Sequence, residues 1–366
     1  MGLNWAIAGG GTGGHVSPAL ALGEAAAQRG DQVLFIGARQ GLETRLVPQA
    51  GFELVTLGSG QVMGRGRLGQ AVGVLGILGS VWAARRALAD FEADVVLSVG
   101  GYASMPASLA ATLRRTPLVL VEPNAVPGRV NRYCSRFARE IFVGFEDATR
   151  HFSNVRAEVH NSGVPLRRGL VSTFRNTSPR RTPEPPFRVF VFGGSQGAHQ
   201  INEAIKASLP SLAELPLEII HQSGEADRDD LVSAYREAGI PAEVVAFEDN
   251  MPARYRWADL AVCRSGALTV AELALAGLPA LLVPYPFAAD NHQAANAREF
   301  AREGAGICVS DLPQNGGDGS QLASRLRDLL ASPQRLQTMS AAASRLARPD
   351  SANQIIRRCA QWLEVA

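Results

Sequence analysis

The feature that most constrains this chain is a repeated alternation of a short apolar run, a turn and an amphipathic stretch along nearly all of its 366 residues. Strand candidates in the first half are "NWAIA", "QVLFIG", "ELVTLG", "DVVLSVG", "PLVLVE" and "EIFVGF", with helical segments such as "SPALALGEAAAQRG" between them. Strands that alternate with helices predict a parallel sheet covered on both faces. The stretch Ser172–Phe187, "STFRNTSPRRTPEPPF", has four prolines and no apolar period, and reads as a linker. Beyond it the alternation restarts with "RVFVFGG", "LEIIHQSG", "AEVVAF", "DLAVCRSG", "PALLVPYP" and "GICVS". The expectation is two α/β domains, each a doubly wound parallel sheet.

Ligands of such sheets sit beyond the carboxyl ends of the strands. Two such domains facing one another would set their glycine turns across one cleft. The first strand runs into "GGGTGGHVSP", Gly9 to Pro18, with five glycines in six positions. Glycine loses more conformational freedom on folding than any other residue, so such a cluster marks a close approach or a positive φ. Ser17 is expected to cap the following helix, Pro18 to sit in its first turn and Gly30 to end it. "VFVFGGSQGAH" opens the second half in the same way.

Gly9, Gly11 and Gly14 satisfy GxGxxG, but the second strand ends in "FIGARQ" with Arg39 and no carboxylate for a ribose. That disfavours NAD and leaves NADP open. Lys206 is the only lysine and follows no GxxxxG, which excludes a P-loop. A phosphate must then be held by backbone N–H groups, helix N-termini, hydroxyls and arginines. "ADRDDL" at 226–231 holds a DxD, read as acids favouring a helix dipole rather than as a metal site.

Composition removes other classes. With 46% apolar and 19% charged residues the chain is globular. A net charge of +2 gives no case for nucleic acid. Cys134, Cys263, Cys308 and Cys359 form no CxxC pair, against a zinc site or a disulfide framework. No secretory signal opens the sequence. The apolar stretch 71–84, "AVGVLGILGSVWAA", is 14 residues, short of the ~20 that span a bilayer. A soluble, cytoplasmic protein that touches a membrane without crossing it is expected.

The second half carries "CRSGALTVAELALAGLPALLVP", a strand ending at Cys263 and a helix beginning near Ala267. Ser265, Leu268 and Thr269 would offer donors at a positive helix end, a seat for a diphosphate. Glu272 would accept both hydroxyls of a ribose; the alternative is a solvated helix residue. In "DNHQAANA", Asp290, His292, Gln293 and Asn296 can reach sugar hydroxyls, against the alternative of a capped surface helix. Dense neutral hydrogen-bonding groups suit a sugar, because an unpaired buried polar group costs about 1–3 kcal/mol.

The blocks "GGTGGH" at 10–15, "SVGGYASMPA" at 98–107, "EPN" at 122–124, "GVPLR" at 163–167, "GGSQGA" at 193–198, "CRSGALTVAE" at 263–272 and "DNHQAANA" at 290–297 resemble, in order, the MurG family. These are the N-acetylglucosaminyltransferases of bacterial peptidoglycan synthesis, in glycosyltransferase family 28. The resemblance implies a GT-B fold of two Rossmann-like domains facing a cleft, 1–163 for the acceptor and 164–350 for the donor, with the helix 351–366 crossing back to the first. It implies inverting transfer of N-acetylglucosamine from UDP-N-acetylglucosamine to the C4 hydroxyl of the muramoyl sugar of lipid I, giving lipid II and UDP. The place would be the cytoplasmic face of the inner membrane, with no cofactor, metal or nucleic acid. A UDP-sugar 2-epimerase of the same architecture is the alternative.

Carried over, Glu272 would hold the ribose and the Ser265–Thr269 turn, with Ala267 and Leu268, would hold the diphosphate together with Ser195; Val270 and Ala271 would also belong to the substrate-binding set. Gln293, flanked by His292 and Asn296, would hold the sugar, and backbone near Glu248 the uracil. Thr12, Gly13, Gly14, Tyr102, Asn124 and Arg167 would complete the donor and acceptor cleft, with Arg167 or Arg264 against the leaving diphosphate. His15 would be the base, its unperturbed pKa of about 6.5 leaving it largely neutral; the rival role is to orient the acceptor. His199 is read as structural. The sequence departs from the family at Pro123, Val164 and Glu248. Leu75, Ile77, Leu78, Val81 and Trp82, between Arg65 and Arg67 on one side and Arg85 and Arg86 on the other, would meet an anionic membrane surface. The alternative there is a buried core helix.

Overall fold

A computed structural model of the chain describes residues 2–58, 67–175, 180–194, 197–310 and 320–365, with the side chains of 67–75 and 77 outside that description. It divides into Met1–Gly169 with Arg348–Ala366, and Leu170–Ala347.

Among the described residues, the first unit has strands β1 (Asn4–Gly9), β2 (Gln32–Ala38), β3 (Glu53–Leu57), β4 (Val95–Gly100), β5 (Leu118–Glu122), β6 (Glu140–Val143) and β7 (Glu158–Asn161). They form one parallel sheet in the order β3-β2-β1-β4-β5-β6-β7. The second unit has β8 (Phe187–Phe192), β9 (Leu217–Gln222), β10 (Ala242–Val245), β11 (Leu260–Cys263), β12 (Ala280–Leu282) and β13 (Gly306–Cys308). Their parallel order, β10-β9-β8-β11-β12-β13, repeats that of the first sheet. Both orders are doubly wound and reverse direction beside the first strand. The fold is the two-sheet α/β architecture expected.

Central strands such as β4 and β11 are buried along their whole length, as a parallel sheet covered on both faces requires. β7, "EVHN", is the edge strand that the sequence did not disclose: four residues, half-exposed, with no apolar run.

The helices of the first unit are α1 (Gly13–Gln28), α2 (Glu43–Gln49), α3 (Arg67–Asp90), α4 (Met105–Arg114) and α5 (Arg129–Cys134). α6 (Arg168–Arg175) crosses to the second unit, which holds α7 (His199–Leu212), α8 (Arg228–Glu237), α9 (Met251–Trp257), α10 (Ala267–Ala276), α11 (His292–Arg302), α12 (Ser320–Leu330) and α13 (Pro333–Leu346). α14 (Ser351–Leu363) packs on the first unit. Its Ile355, Ile356 and Cys359 share an apolar cluster with Trp5, Leu20 and Leu22.

Two local expectations are corrected. Ser17 does not cap α1: Gly11, at φ +89, reverses the chain early, so Thr12 becomes the extended N-cap. His15 N and Val16 N then both donate to Thr12 O at 3.1 Å, and Pro18 lies a turn deeper than expected. Gly30, at φ +85, does end the helix. The Pro-rich stretch is not a free linker over its described length. Its first residues are helical in α6, and Arg180 donates to the carbonyls of Tyr255, Ala258 and Ala276. Arg181 pairs with the buried Asp259 at 2.8 Å. Two arginines pin to the second unit what composition alone presents as flexible.

α3 is partly core and partly surface. Val81, Ala84 and Leu88 enter the buried cluster, whereas Leu78 and Trp82 are 52% and 64% exposed. The Arg85 guanidinium lies 5.3 Å from the Trp82 ring centre. The buried-core alternative therefore describes only one face of the described helix. Leu75 and Ile77 lie outside the described side chains, and Arg65 outside the described residues. No helix among the described residues is long and apolar enough to cross a membrane.

Candidate active site

In the first unit the strand order reverses between β1 and β4, so the loops beyond their carboxyl ends meet. Two glycines of the first loop, Gly10 and Gly11, face a buried carboxylate. Glu43, at the start of α2, is fully buried; its Oε2 accepts from Gly11 N at 2.8 Å and its Oε1 from Ala38 N at 3.0 Å. A Cβ on Gly10, Gly37 or Gly41 would come within 2.2, 2.7 or 2.3 Å of that side chain. Sequence reasoning missed Glu43 because an acid in a first helical turn is commonplace; the signal was the three glycines around one carboxylate.

His15 rises from the first turn of α1 with Nδ1 3.2 Å from Thr12 Oγ1. It leans on the turn Gly100–Gly101, whose φ values are +91 and +80. A Cβ on Gly101 would lie 2.8 Å from Gly10 O and 3.5 Å from His15 Nδ1. The structure thus brings together Thr12, His15 and the "GGY" turn, with Tyr102 70% exposed beside them. Gly13 is partly exposed and Gly14 exposed.

A second buried carboxylate, Glu122, builds the neighbouring loop. It accepts from Asn124 N at 2.9 Å, Gly128 N at 3.0 Å and the side-chain amides of Asn131 and Asn124 at 2.9 and 3.3 Å. Burial pushes its pKa up against the pull of those hydrogen bonds. The Asn124 amide expected to face the cleft therefore already serves Glu122. Arg167 is likewise engaged: its Nε meets Glu24 at 2.5 Å, and Arg168 N donates to the other oxygen of Glu24.

In the second unit the same reversal sets the β8 loop beside the β11 loop. The β8 loop is tight: a Cβ on Gly197, at φ +73, would lie 2.0 Å from Ser223 O. Ser195 lies outside the described residues. His199, exposed at the start of α7, has Nδ1 2.9 Å from the partly exposed Asp227, which also accepts from Asn202.

α10 opens at Gly266 with no side-chain cap. The amides of Ala267, Leu268 and Thr269 precede the first rung, Val270 N to Gly266 O at 3.0 Å, and so have no intrahelical partner. Leu268, Thr269 and Ala271 are partly exposed, and Ala267 and Val270 are buried. Such an end attracts an anion.

Three side chains expected around it are turned elsewhere. Ser265 is fully buried and its hydroxyl donates to Gln293 O at 2.9 Å. Asn296, also fully buried, donates to Ser265 O at 3.1 Å. These two tie the start of α11 to the turn before α10. Arg264 donates to the carbonyls of Val283 and Pro284, both at 3.2 Å, and to Gln200 Oε1 at 2.6 Å. Burial lowers its pKa to about 10. Arg264 is thus a strut of the loop beyond β12, because buried carbonyls compete for its donors.

Gln293 accepts from Tyr285 N at 2.9 Å through Oε1, which directs its NH2 away from that loop. His292 donates from Nδ1 to Ala289 O at 2.7 Å. Asp290 and Asn291 before it hold φ values of +50 and +54, a strained turn for non-glycine residues. The Glu248 carboxylate folds back on Asn250 N at 2.8 Å and on Arg254, leaving only main chain for a base.

Glu272 resolves differently from a solvated surface acid. It is partly exposed, yet protein surrounds its carboxylate, and Oε2 accepts from Tyr255 Oη at 2.8 Å. Burial raises its pKa from 4.5 to about 7, against the lowering by Tyr255. A carboxyl whose folded pKa lies above its unfolded one contributes stability at low pH that is lost as pH rises through that interval. Glu272→Gln should therefore leave the melting temperature unchanged near pH 4 and raise it by about 2–5 °C at pH 8. Parallel wild-type and variant curves from pH 4 to 8 in calorimetry contradict this.

Comparison with known proteins agrees with the fold. The glycosyltransferase family 28 N-terminal domain model matches residues 5–143, and the C-terminal domain model matches residues 188–355. The UDP-N-acetylglucosamine–N-acetylmuramyl-(pentapeptide) pyrophosphoryl-undecaprenol N-acetylglucosamine transferase of Geobacter metallireducens is 40% identical over 96% of this chain and 96% of its own. That of Alkalilimnicola ehrlichii is 41% identical over 96% and 97%. The crystal structure of Acinetobacter baumannii MurG superposes with a TM-score of 0.81 at 30% identity, covering 97% of this chain and 98% of its own. The UDP-GlcNAc 2-epimerase of Neisseria meningitidis, at 12% identity and a TM-score of 0.67 over 99% and 100%, shares the fold alone. The chain belongs to glycosyltransferase family 28.

Proposed function

We propose that this glycosyltransferase moves N-acetylglucosamine from UDP-N-acetylglucosamine to the C4 hydroxyl of the muramoyl sugar of lipid I, the undecaprenyl-pyrophosphoryl-MurNAc-pentapeptide, forming lipid II and UDP. The observation that carries the donor side is the uncapped N-terminus of α10 with Glu272 further along the same helix. The diphosphate would take the amides of Ala267, Leu268 and Thr269, and the ribose diol would donate to Glu272. Main chain at Glu248 would read the uracil, and the Gln293 NH2 the sugar. Relatives about 40% identical over nearly the whole chain, named for this reaction, support the substrate pair, and the epimerase reading has only fold likeness behind it.

The acceptor is assigned to the first unit. Nδ1 of His15 lies 3.2 Å from Thr12 Oγ1, and in the tautomer that donates Nδ1–H there, Nε2 would carry the lone pair. That nitrogen would take the C4 hydroxyl proton as the oxygen attacks the anomeric carbon. The bond from that carbon to the diphosphate oxygen breaks with inversion. The departing charge falls on fixed peptide dipoles, which need not reorganise. His15→Ala should lower kcat by about 10²–10⁴-fold and leave the KM for UDP-N-acetylglucosamine within about threefold. The assay is UDP release with and without a lipid I analogue. Near-normal turnover removes the base role, and acceptor-independent release of a free epimer removes the transferase reading.

The acceptor's lipid calls for peripheral binding to an anionic bilayer, which we assign to the exposed face of α3. Leu78 and Trp82 would enter the headgroup boundary, with Arg85 and Arg86 meeting phosphates. Leu78→Glu with Trp82→Glu should reduce binding to phosphatidylglycerol vesicles at least about fivefold with UDP affinity unchanged. Undiminished vesicle binding in a sedimentation assay overturns the assignment.

A further inference from the structure

Tyr255 is left without a task by the reading above. It lies on α9, 1% exposed, with its ring 6.2 Å from that of Phe190 and 5.8 Å from that of Phe192. Its carbonyl accepts from Arg180, whose guanidinium also bonds Ala276 O at the far end of α10. Ring, main chain and hydroxyl are therefore all fixed, and the hydroxyl is fixed on the carboxylate of Glu272.

Resting on the assignment of Glu272 to the ribose, we infer that Tyr255 is a positioning residue. It fixes the direction of the Glu272 carboxylate, keeps it an acceptor for both ribose hydroxyls and so makes the site selective for ribonucleoside diphosphates. A buried phenol can satisfy its hydrogen with any carbonyl. Here it spends that hydrogen on a carboxylate beside the open end of a helix. A hydrogen bond from a rigid donor holds one oxygen and leaves the other to converge on a diol. Protonation would turn that oxygen into a competing donor.

The groups around Glu272 make the hydroxyl decisive. Tyr255 from α9 and Cys263 from β11 both have their pKa raised by burial, so both are neutral near pH 7. Arg264 is turned to the carbonyls beyond β12, and Arg180 to those at the ends of α9 and α10. Among the described residues no cation forms an ion pair with Glu272, which leaves the Tyr255 hydrogen bond as the influence that lowers its pKa against burial.

The experiment is calorimetric titration of the full chain with UDP and with 2′-deoxy-UDP from pH 6 to 9, using wild type, Tyr255→Phe and Glu272→Gln. Titration of the nucleotide's own phosphate is common to every arm. Tyr255→Phe should move the pH at which UDP affinity is half lost upward by about one unit. It should weaken UDP about five- to tenfold at pH 7, recover to within about twofold at pH 9, and lose the preference for UDP over the deoxy nucleotide only at the lower pH. Equal weakening at every pH, or a profile that overlays wild type, overturns the inference. If Glu272→Gln flattens the profile while Tyr255→Phe overlays wild type, the positioning role alone falls. If Glu272→Gln changes neither affinity nor profile, the ribose assignment falls and the role of Tyr255 falls with it.

Discussion

Parallel strands end in a row of main-chain groups that no neighbouring strand can bond, at the edge where ligands of doubly wound sheets sit. Everything functional in this protein depends on how those groups are satisfied. In the first unit two buried carboxylates do it: Glu43 bonds the amides of Gly11 and Ala38, and Glu122 those of Asn124 and Gly128. In the second, Ser265 and Asn296 stitch the α10 turn to α11. Each device fixes a loop from behind with an inward-facing side chain. At α10 the helix N-terminus in front of it carries no side-chain cap.

This arrangement explains why several polar residues that look like ligands have internal partners in the fold. Ser265, Asn296, Arg264 and Arg167 all have firm internal partners. An unpaired buried polar group is costly, so a site rich in such groups must pair most of them internally before a substrate arrives. What we assign to the donor is therefore largely main chain, at α10 and at Glu248, together with Glu272, Thr269 and Gln293. That set suits a leaving group whose charge grows during the reaction, because helix amides are oriented before the bond breaks. The chain has one lysine, and the proposed chemistry does not call on it.

The alternation of apolar runs and amphipathic stretches made the two sheets legible, because strands buried on both faces must be apolar throughout. β7 escaped because an edge strand of four residues carries no such signature. The glycine turns and the α10 entry were legible as backbone that must approach something. What they approach was not: a carboxylate 32 residues from Gly11 fills the space behind the first turn, and only the folded chain brings it there. Similarly, Arg180 and Arg181 look like linker charges until Asp259 and three helix-end carbonyls appear beside them. Local periodicity encodes elements, whereas partners distant in sequence decide which polar residues are free to act.

The central claim is that the nucleotide belongs to the second unit's helix entry, while the glycine turn of the first unit is shaped by its own buried acid. A crystal structure of the chain with UDP tests this most directly. The account predicts pyrophosphate oxygens at the amides of Ala267, Leu268 and Thr269, with the ribose diol on Glu272. Pyrophosphate bound instead at Gly9–Gly14 would contradict it.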